Sequence, residues 1–385
     1  MMEKSVKIRN LFLSFLKLGL TAFGGPGMAS YIRDIFVHRK KWISEELFND
    51  GIALCQSIPG ATSMQVSAYV GLRLRGVFGA IASFVGFGLP AFLLMVFLTF
   101  FYTHTRNIPV AASVLKGLQV IVVSIIANAT ISFGKSSIKN WRYILIAILA
   151  AIFFLIKINP ILVIILMSGV GILVFKKEAP SSTDQAPSKN ANGIKRLLIL
   201  FMPVLIGFAI LRLINEKLFS LAFLMFKIDL FAFGGGFVSV PLMFHEVVHS
   251  RRWLDSSTFM HGIALGQITP GPIVITATFI GYLLFGFLGA VVSTLYVFSP
   301  SFIILVSIVP YFDRLKYSSY FQKAIQGALS CFIGLLLSTT IHFASNVHWD
   351  FQSVLLAGAS FLALLLKFDI LWVVIGGILL SGIIF

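Results

Sequence analysis

Charge is what this chain has least of. Only 11% of its 385 residues are Asp, Glu, Lys or Arg, against roughly 25% in an ordinary globular domain. Acidic side chains are scarcest, 14 against 30 Lys and Arg. With a mean hydropathy of +0.97, such a composition excludes a soluble fold. Cysteine is nearly absent: Cys55 and Cys331 both lie in apolar stretches and read as small core residues. That excludes a disulfide framework and a thiolate metal site. No GxxxxGK[ST], HExxH or GxSxG pattern occurs, nor any His/Asp cluster. The chain therefore carries no signature of a self-contained nucleotide-driven pump, of an enzyme, or of a metal or cofactor site.

What is present is long apolar sequence. Val77–Phe101, Val110–Phe133, Phe287–Pro310 and Ala324–Phe343 approach or exceed the roughly 20 residues that cross a bilayer as a helix. Their Gly, Ser and Thr content suits helix packing in lipid. The net charge of +16 sits in short clusters between these runs. That is the pattern of loops that set membrane orientation, not of a nucleic-acid face. Met1–Asn10 and Leu11–Phe23 have the charge and length of a signal peptide. An internal repeat argues against cleavage, because Leu11–Pro26 has a counterpart deep in the chain.

The repeat has a dominant offset of 210 residues, pairing Phe23-Gly24-Gly25 with Phe233-Gly234-Gly235, Pro90 with Pro300 and Lys157 with Lys367. Between the first landmarks the offset is 211, pairing Trp42 with Trp253, Gln56 with Gln267 and Pro59-Gly60 with Pro270-Gly271. Two homologous units follow, 1–175 and 218–385. They are joined at 176–217 by a polar linker and an unpaired apolar run, Leu197–Leu213. The basic loops of the first unit share one side of the membrane by the positive-inside rule, and the bias reverses in the second. One extra crossing accounts for that. The expected fold is an all-α polytopic membrane protein with two inverted-topology repeats and roughly 9 to 13 crossings. The range depends on whether the interrupted segments cross or re-enter.

One loop departs from that bias. Arg39, Lys40 and Lys41, like Arg251 and Arg252, are basic in both units although inversion places them on opposite sides. Either they lie on surface helices that meet lipid headgroups, with Trp42 and Trp253 as anchors, or they attract an anion from each side.

Four interruptions mark the candidate site: Phe23-Gly24-Gly25-Pro26, Gln56 with Pro59-Gly60, Phe233-Gly234-Gly235, and Gln267 with Pro270-Gly271. Broken backbone survives in a membrane only where protein or a water-lined cavity satisfies it, and amides freed at a half-helix N-terminus bind anions. Matching breaks in two halves point to a transporter's binding site; the alternative is turns that serve packing alone. Lys17 and Lys227 precede the Phe-Gly-Gly breaks, either as cations for an anionic substrate or as snorkelling residues near helix ends. Glu246 is placed either to carry a coupling proton or as an interfacial carboxylate. Asp229 stands where the first unit has Gly19 and reads as the partner of a nearby lysine.

These motifs together resemble the chromate transporter (CHR) family in its long-chain, two-domain form. The resemblance runs through Phe23–Pro26, Arg39–Trp42, Leu54-Cys55-Gln56, Pro59-Gly60-Ala61 and Arg73–Gly76. In the second unit it runs through Phe233–Gly236, Pro241, Glu246, Arg251–Trp253, Ala264–Gln267 and Pro270–Pro272. It implies a cell-membrane transporter exporting chromate, with sulfate as an analogue. Lipids are then partners, and a second copy of the chain is a candidate one. Ala61 replaces a family proline, and Ala29 stands where many members have histidine.

Overall fold

A computed structural model describes residues 6–23, 28–106, 108–175, 193–309 and 318–385. Among them every regular element is helical. The helices are α1 (Ile8–Thr21), α2 (Met28–Arg33), α3 (Glu45–Ser57), α4 (Thr62–Thr105), α5 (Pro109–Ser137), α6 (Trp141–Leu155), α7 (Pro160–Val174) and α8 (Gly193–Ile214). The second repeat continues with α9 (Glu216–Leu230), α10 (Gly236–Phe244), α11 (Ser256–Ile268), α12 (Thr276–Ile308), α13 (Ser319–Asn346), α14 (Phe351–Leu365) and α15 (Ile370–Ile384). Gly24, Gly25 and Pro26, the linker 176–192 and the loop holding Arg314 and Lys316 lie outside the described residues.

Helix starts follow short polar side chains that accept first-turn amides. They recur in register: Ser44 caps α3 and Asp255 caps α11, Asn140 caps α6 and Asp350 caps α14, Asn159 caps α7 and Asp369 caps α15. Backbone exceptions recur as well. Positive φ occurs at Lys41 and Arg252 (52° and 54°), at Lys157 and Lys367 (62° and 66°), and at Gly60 and Gly271 (120° and 116°). Equivalent local sequence has produced equivalent backbone in both repeats.

The interrupted segments fold back on themselves. Phe15 stacks on Phe36 at 4.3 Å and Lys40 Nζ donates to Ser14 Oγ at 2.9 Å, so α1 and α2, with the π turn Asp34–Arg39 that extends α2, form a hairpin. Lys227 bound to Glu246, and Arg251 bound to Ser220, close the matching hairpin of α9 and α10. A second pair of hairpins follows. A Cβ at Gly51 would overlap the Tyr69 ring, and one at Gly262 the Phe279 ring, so α3 lies along the start of α4, and α11 along the start of α12. Each interrupted segment thus returns alongside its own repeat instead of continuing as one straight helix.

α4 is itself bent at Arg75-Gly76 and α12 at Phe285-Gly286, with nearly identical dihedrals at the glycines (61°, −152° and 62°, −151°). A Cβ at Gly71 would overlap the Gly79 carbonyl, whereas eight residues of straight helix would separate them by about 12 Å. Each helix thus has a short limb returning from the break and a long limb (77–105, 287–308) that runs onward.

The repeats interlock. Phe84 meets Phe298 and Phe302 while Phe92 meets Phe287, so the long limbs of α4 and α12 run antiparallel. α5 and α13 also run antiparallel: Lys116, near the start of α5, reaches Asp350, just past the end of α13, at 2.7 Å. The last two helices of each repeat pack on the other repeat. Gly171 and Gly327 bring α7 against α13, Gly334 fits the α6 backbone, and Gly117 and Gly377 seat α15 on α5. Small residues permit that approach where lipid supplies no hydrophobic drive. α8 has no counterpart and packs on α9 and α12, its Phe208 against Phe226 and Tyr296. Cys55 and Cys331 are buried and unpaired.

Candidate functional site

The four breaks are tied across the repeats by two reciprocal bonds. Gly60 N donates to Ala232 O at 2.9 Å, and Gly271 N donates to Ala22 O at 3.1 Å. Each Pro-Gly tip is thereby pinned to the opposite repeat at the residue just before Phe23 or Phe233. Gly60 is obligatory twice over, by its left-handed φ and because a Cβ there would run into Ser301 Oγ.

This pinning sets two helix N-termini side by side. Gly235 precedes α10 and Thr62 opens α4; a Cβ on Gly235 would sit 3.3 Å from Thr62 Oγ1. Neither helix has a capping side chain. Their first-turn amides have no intrahelical acceptor, and Thr62, Ser63, Gly236 and Phe237 are all half-buried. Two uncapped N-termini, one from each repeat, form a concentration of partial positive charge and hydrogen-bond donors suited to an oxyanion.

Polar side chains surround the tips. Gln65 Nε2 donates to Pro59 O at 2.6 Å, leaving its buried Oε1 unpartnered among the described residues, as is the buried Nε2 of Gln267. Asp229 is fully buried. Its Oδ2 accepts from Ser301 N at 2.8 Å and from Ser301 Oγ at 2.6 Å, and Ser301 Oγ accepts from Ala61 N at 3.0 Å. The expectation that Asp229 pairs with a lysine is thus corrected. Lys227 binds Glu246 at 2.5 Å, with Arg251 Nε at 3.9 Å from the same carboxylate.

Of the residues singled out from sequence, Phe233, Gly234, Gly235, Pro59, Gly60, Pro270 and Gly271 are brought together at the tips, and Phe23 sits half-buried beside them. Gln267 is buried three residues before Pro270, while Gln56 is exposed. Lys17, Lys227 and Glu246 lie on the hairpin flanks instead. The basic segments lie at the hairpin bases: Arg39 pairs with Asp34 at 2.7 Å, Lys40 covers Trp42, Arg251 covers Trp253, and Lys41 and Arg252 are exposed. Sequence reading passed over Ser301 and Gln65 and assigned Asp229 to another partner. The available signal was the difference between copies, where Gly19 and Ala91 stand at the positions of Asp229 and Ser301.

The flanks of the site differ between repeats. On α3, Glu46, Asn49, Asp50 and Gln56 form an exposed polar stripe leading to the tip. On α11 the equivalent face is closed. His261 lies 3.1 Å from Tyr102 Oη and 2.8 Å from Gln119 Nε2, and Gln119 also binds Ser257. α11 packs across onto α5, whereas α3 packs chiefly on α4 and α2 of its own repeat.

The family model described as chromate transporter matches the chain twice, over residues 9–172 and 219–382. An uncharacterized transporter of Methanocaldococcus jannaschii is 46% identical over 377 residues, covering 97% of this chain and 94% of the relative. The chromate transport protein of Cupriavidus metallidurans is 30% identical over 367 residues, covering 94% and 88%. That of Pseudomonas aeruginosa is 28% identical over 361 residues, covering 87% and 80%. No solved structure matches. A match across both repeats, with relatives aligned along nearly the whole length, makes this chain a member of the chromate transporter family and a multi-pass membrane transporter of that kind.

Proposed function

We propose that the protein is a secondary transporter of a small divalent oxyanion, chromate foremost and sulfate-like anions by shared charge and shape, working as an exporter driven by an ion gradient. The observation that carries this reading is the pair of uncapped N-termini at Thr62 and Gly236, contributed by opposite repeats and half-buried at mid-chain breaks. Tetrahedral oxyanions accept several hydrogen bonds at once, which backbone amides in this geometry supply. Gln56 and Gln267 add side-chain donors when the tips move, and Lys17 is the exposed cation nearest the first break.

The repeats are read as opposite in membrane orientation. The antiparallel contacts of α4 with α12 and of α5 with α13, and the reciprocal bonds at the tips, support this. Nine crossings follow, by α4 to α8 and α12 to α15. α6, α7, α14 and α15, of 15 residues each, are about 22 Å long and meet a thin or deformed bilayer. The basic-Trp segments then sit at opposite surfaces against headgroups. The site is open along the α3 stripe and shut by His261, Tyr102 and Gln119, an arrangement that favours alternating access over a continuous channel.

Chromate uptake by inside-out vesicles, with and without a pH gradient, tests the function. Saturable uptake, lost when Gln56→Ala is combined with Gln267→Ala, is expected. Linear flux that ignores both gradient and variant indicates a channel, and no chromate movement under any gradient refutes the reading.

A further inference from the structure

Asp229 is a carboxyl group at the heart of the fold with no cation beside it. It is 0% exposed, its Oδ1 has no partner among the described residues, and its Oδ2 is held by Ser301. The charged groups around it are accounted for. On α9, Lys227 faces Glu246 and Glu216 faces Arg212; α12 presents Ser301, and the tip before α4 presents Gly60 and Ala61. No lysine, arginine, histidine or second carboxyl faces it from these described residues. A buried carboxylate without a counter-charge is costly in a membrane interior.

The same carboxyl is wired to the N-terminus of α4. Asp229 binds Ser301, and Ser301 accepts the Ala61 amide that immediately precedes Thr62. A divalent anion at the N-termini of α4 and α10 would face a negative carboxylate that lies two hydrogen bonds beyond Ala61. Like charges at that separation oppose each other's presence. A proton on Oδ1 removes the opposition, and Oδ1 is the atom left free to take it.

Building on the oxyanion reading above, we propose that Asp229 is a proton-binding site coupled to the anion site, so that oxyanion binding takes up one proton from water onto Oδ1 and the two travel together, the remaining single negative charge leaving down the electrical gradient. Glu246 is the less suited carrier, because Lys227 and Arg251 already serve as its counter-charges. Asp229 is shut from solvent here, so proton exchange accompanies the opening of the tips. The proton remains a proton throughout: water supplies it on one side and receives it on the other.

The test uses the full-length protein in lipid nanodiscs, wild type beside Asp229→Asn, which keeps an oxygen for Ser301 to donate to. Acid-minus-alkaline infrared difference spectra should show the carbonyl stretch of a protonated buried carboxyl in wild type and lack it in the variant. Titration with chromate should show affinity falling by up to about tenfold per pH unit in wild type, the limit for one linked proton. The variant should show only chromate's own protonation. A carbonyl band that survives Asp229→Asn, or equal pH slopes in the two proteins, overturns the proposal. If chromate binds neither protein, the oxyanion reading fails and the band alone decides whether Asp229 binds a proton. Should Asp229→Asn not fold, Ser301→Ala replaces it: a shifted band supports the assignment and an unmoved band overturns it.

Discussion

The first and second repeats share a backbone but divide the chemistry between them. Lys41 and Arg252, Gly60 and Gly271, and Gly76 and Gly286 adopt the same unusual dihedrals, while three polar pairings have no counterpart in the other repeat. Lys227 has Glu246; Lys17 faces a repeat in which position 35 is isoleucine. Asp229 has Ser301; their counterparts are Gly19 and Ala91. His261 is locked by Tyr102 and Gln119, whereas its counterpart Asp50 is exposed. Duplicated sequence preserved the positions that turn the chain and released those that handle charge.

The comparison can be broken most severely at the glycines. Gly60→Val forces a side chain into left-handed backbone and into Ser301, and should cost about 3 kcal/mol or more with loss of transport. Gly76→Ala, where an added Cβ meets nothing within 4 Å, should cost only about 1 to 2 kcal/mol of backbone strain. Melting in detergent distinguishes the two, and equal losses would contradict the packing described here. The charged pair comes next. Glu246→Gln should destabilise by about 2 kcal/mol, because a largely buried lysine loses its counter-charge. Ile35→Glu should give Lys17 the missing partner and leave stability nearly unchanged; a large loss would show that position 35 is not equivalent.

The open and closed faces sharpen the contrast further. With Cys55 and Cys331 replaced by serine, Asp50→Cys should react with a membrane-impermeant thiol reagent on the order of tenfold faster than His261→Cys. Comparable rates would place α3 and α11 in one environment. The smallest effect belongs to Lys116→Met. The Lys116 ammonium and the Ser353 amide hold Asp350 well below the usual carboxylate range. That contribution to stability is complete above the unfolded carboxylate's pKa of about 4 and fades as pH falls below it. The variant should therefore melt slightly earlier than wild type at neutral pH and converge with it in acid.

Much of this was legible in sequence because glycine, proline and apolar length act locally. The repeat, the three breaks within the described residues and the extra helix α8 all follow from such signals. Whether a broken segment crosses or returns was not legible, since Lys40 with Ser14 and Gly51 with Tyr69 are tertiary contacts. Partners far along the chain were equally hidden: Asp229 and Ser301 are 72 residues apart, and His261 and Tyr102 are 159 apart. Ala61 is instructive in this respect. It stands where the family resemblance has proline, and its amide is the link to Ser301, which proline could not make.

The exchange of α6 and α7 onto α13 fixes an order of events during biosynthesis. Both helices are complete by residue 174, whereas α13 begins at residue 319. At roughly 5 to 20 residues per second, they are complete about ten to thirty seconds before the backbone that Gly171 packs on exists. Folding of the first half is therefore a delayed reaction, finished by a helix that the ribosome has yet to make.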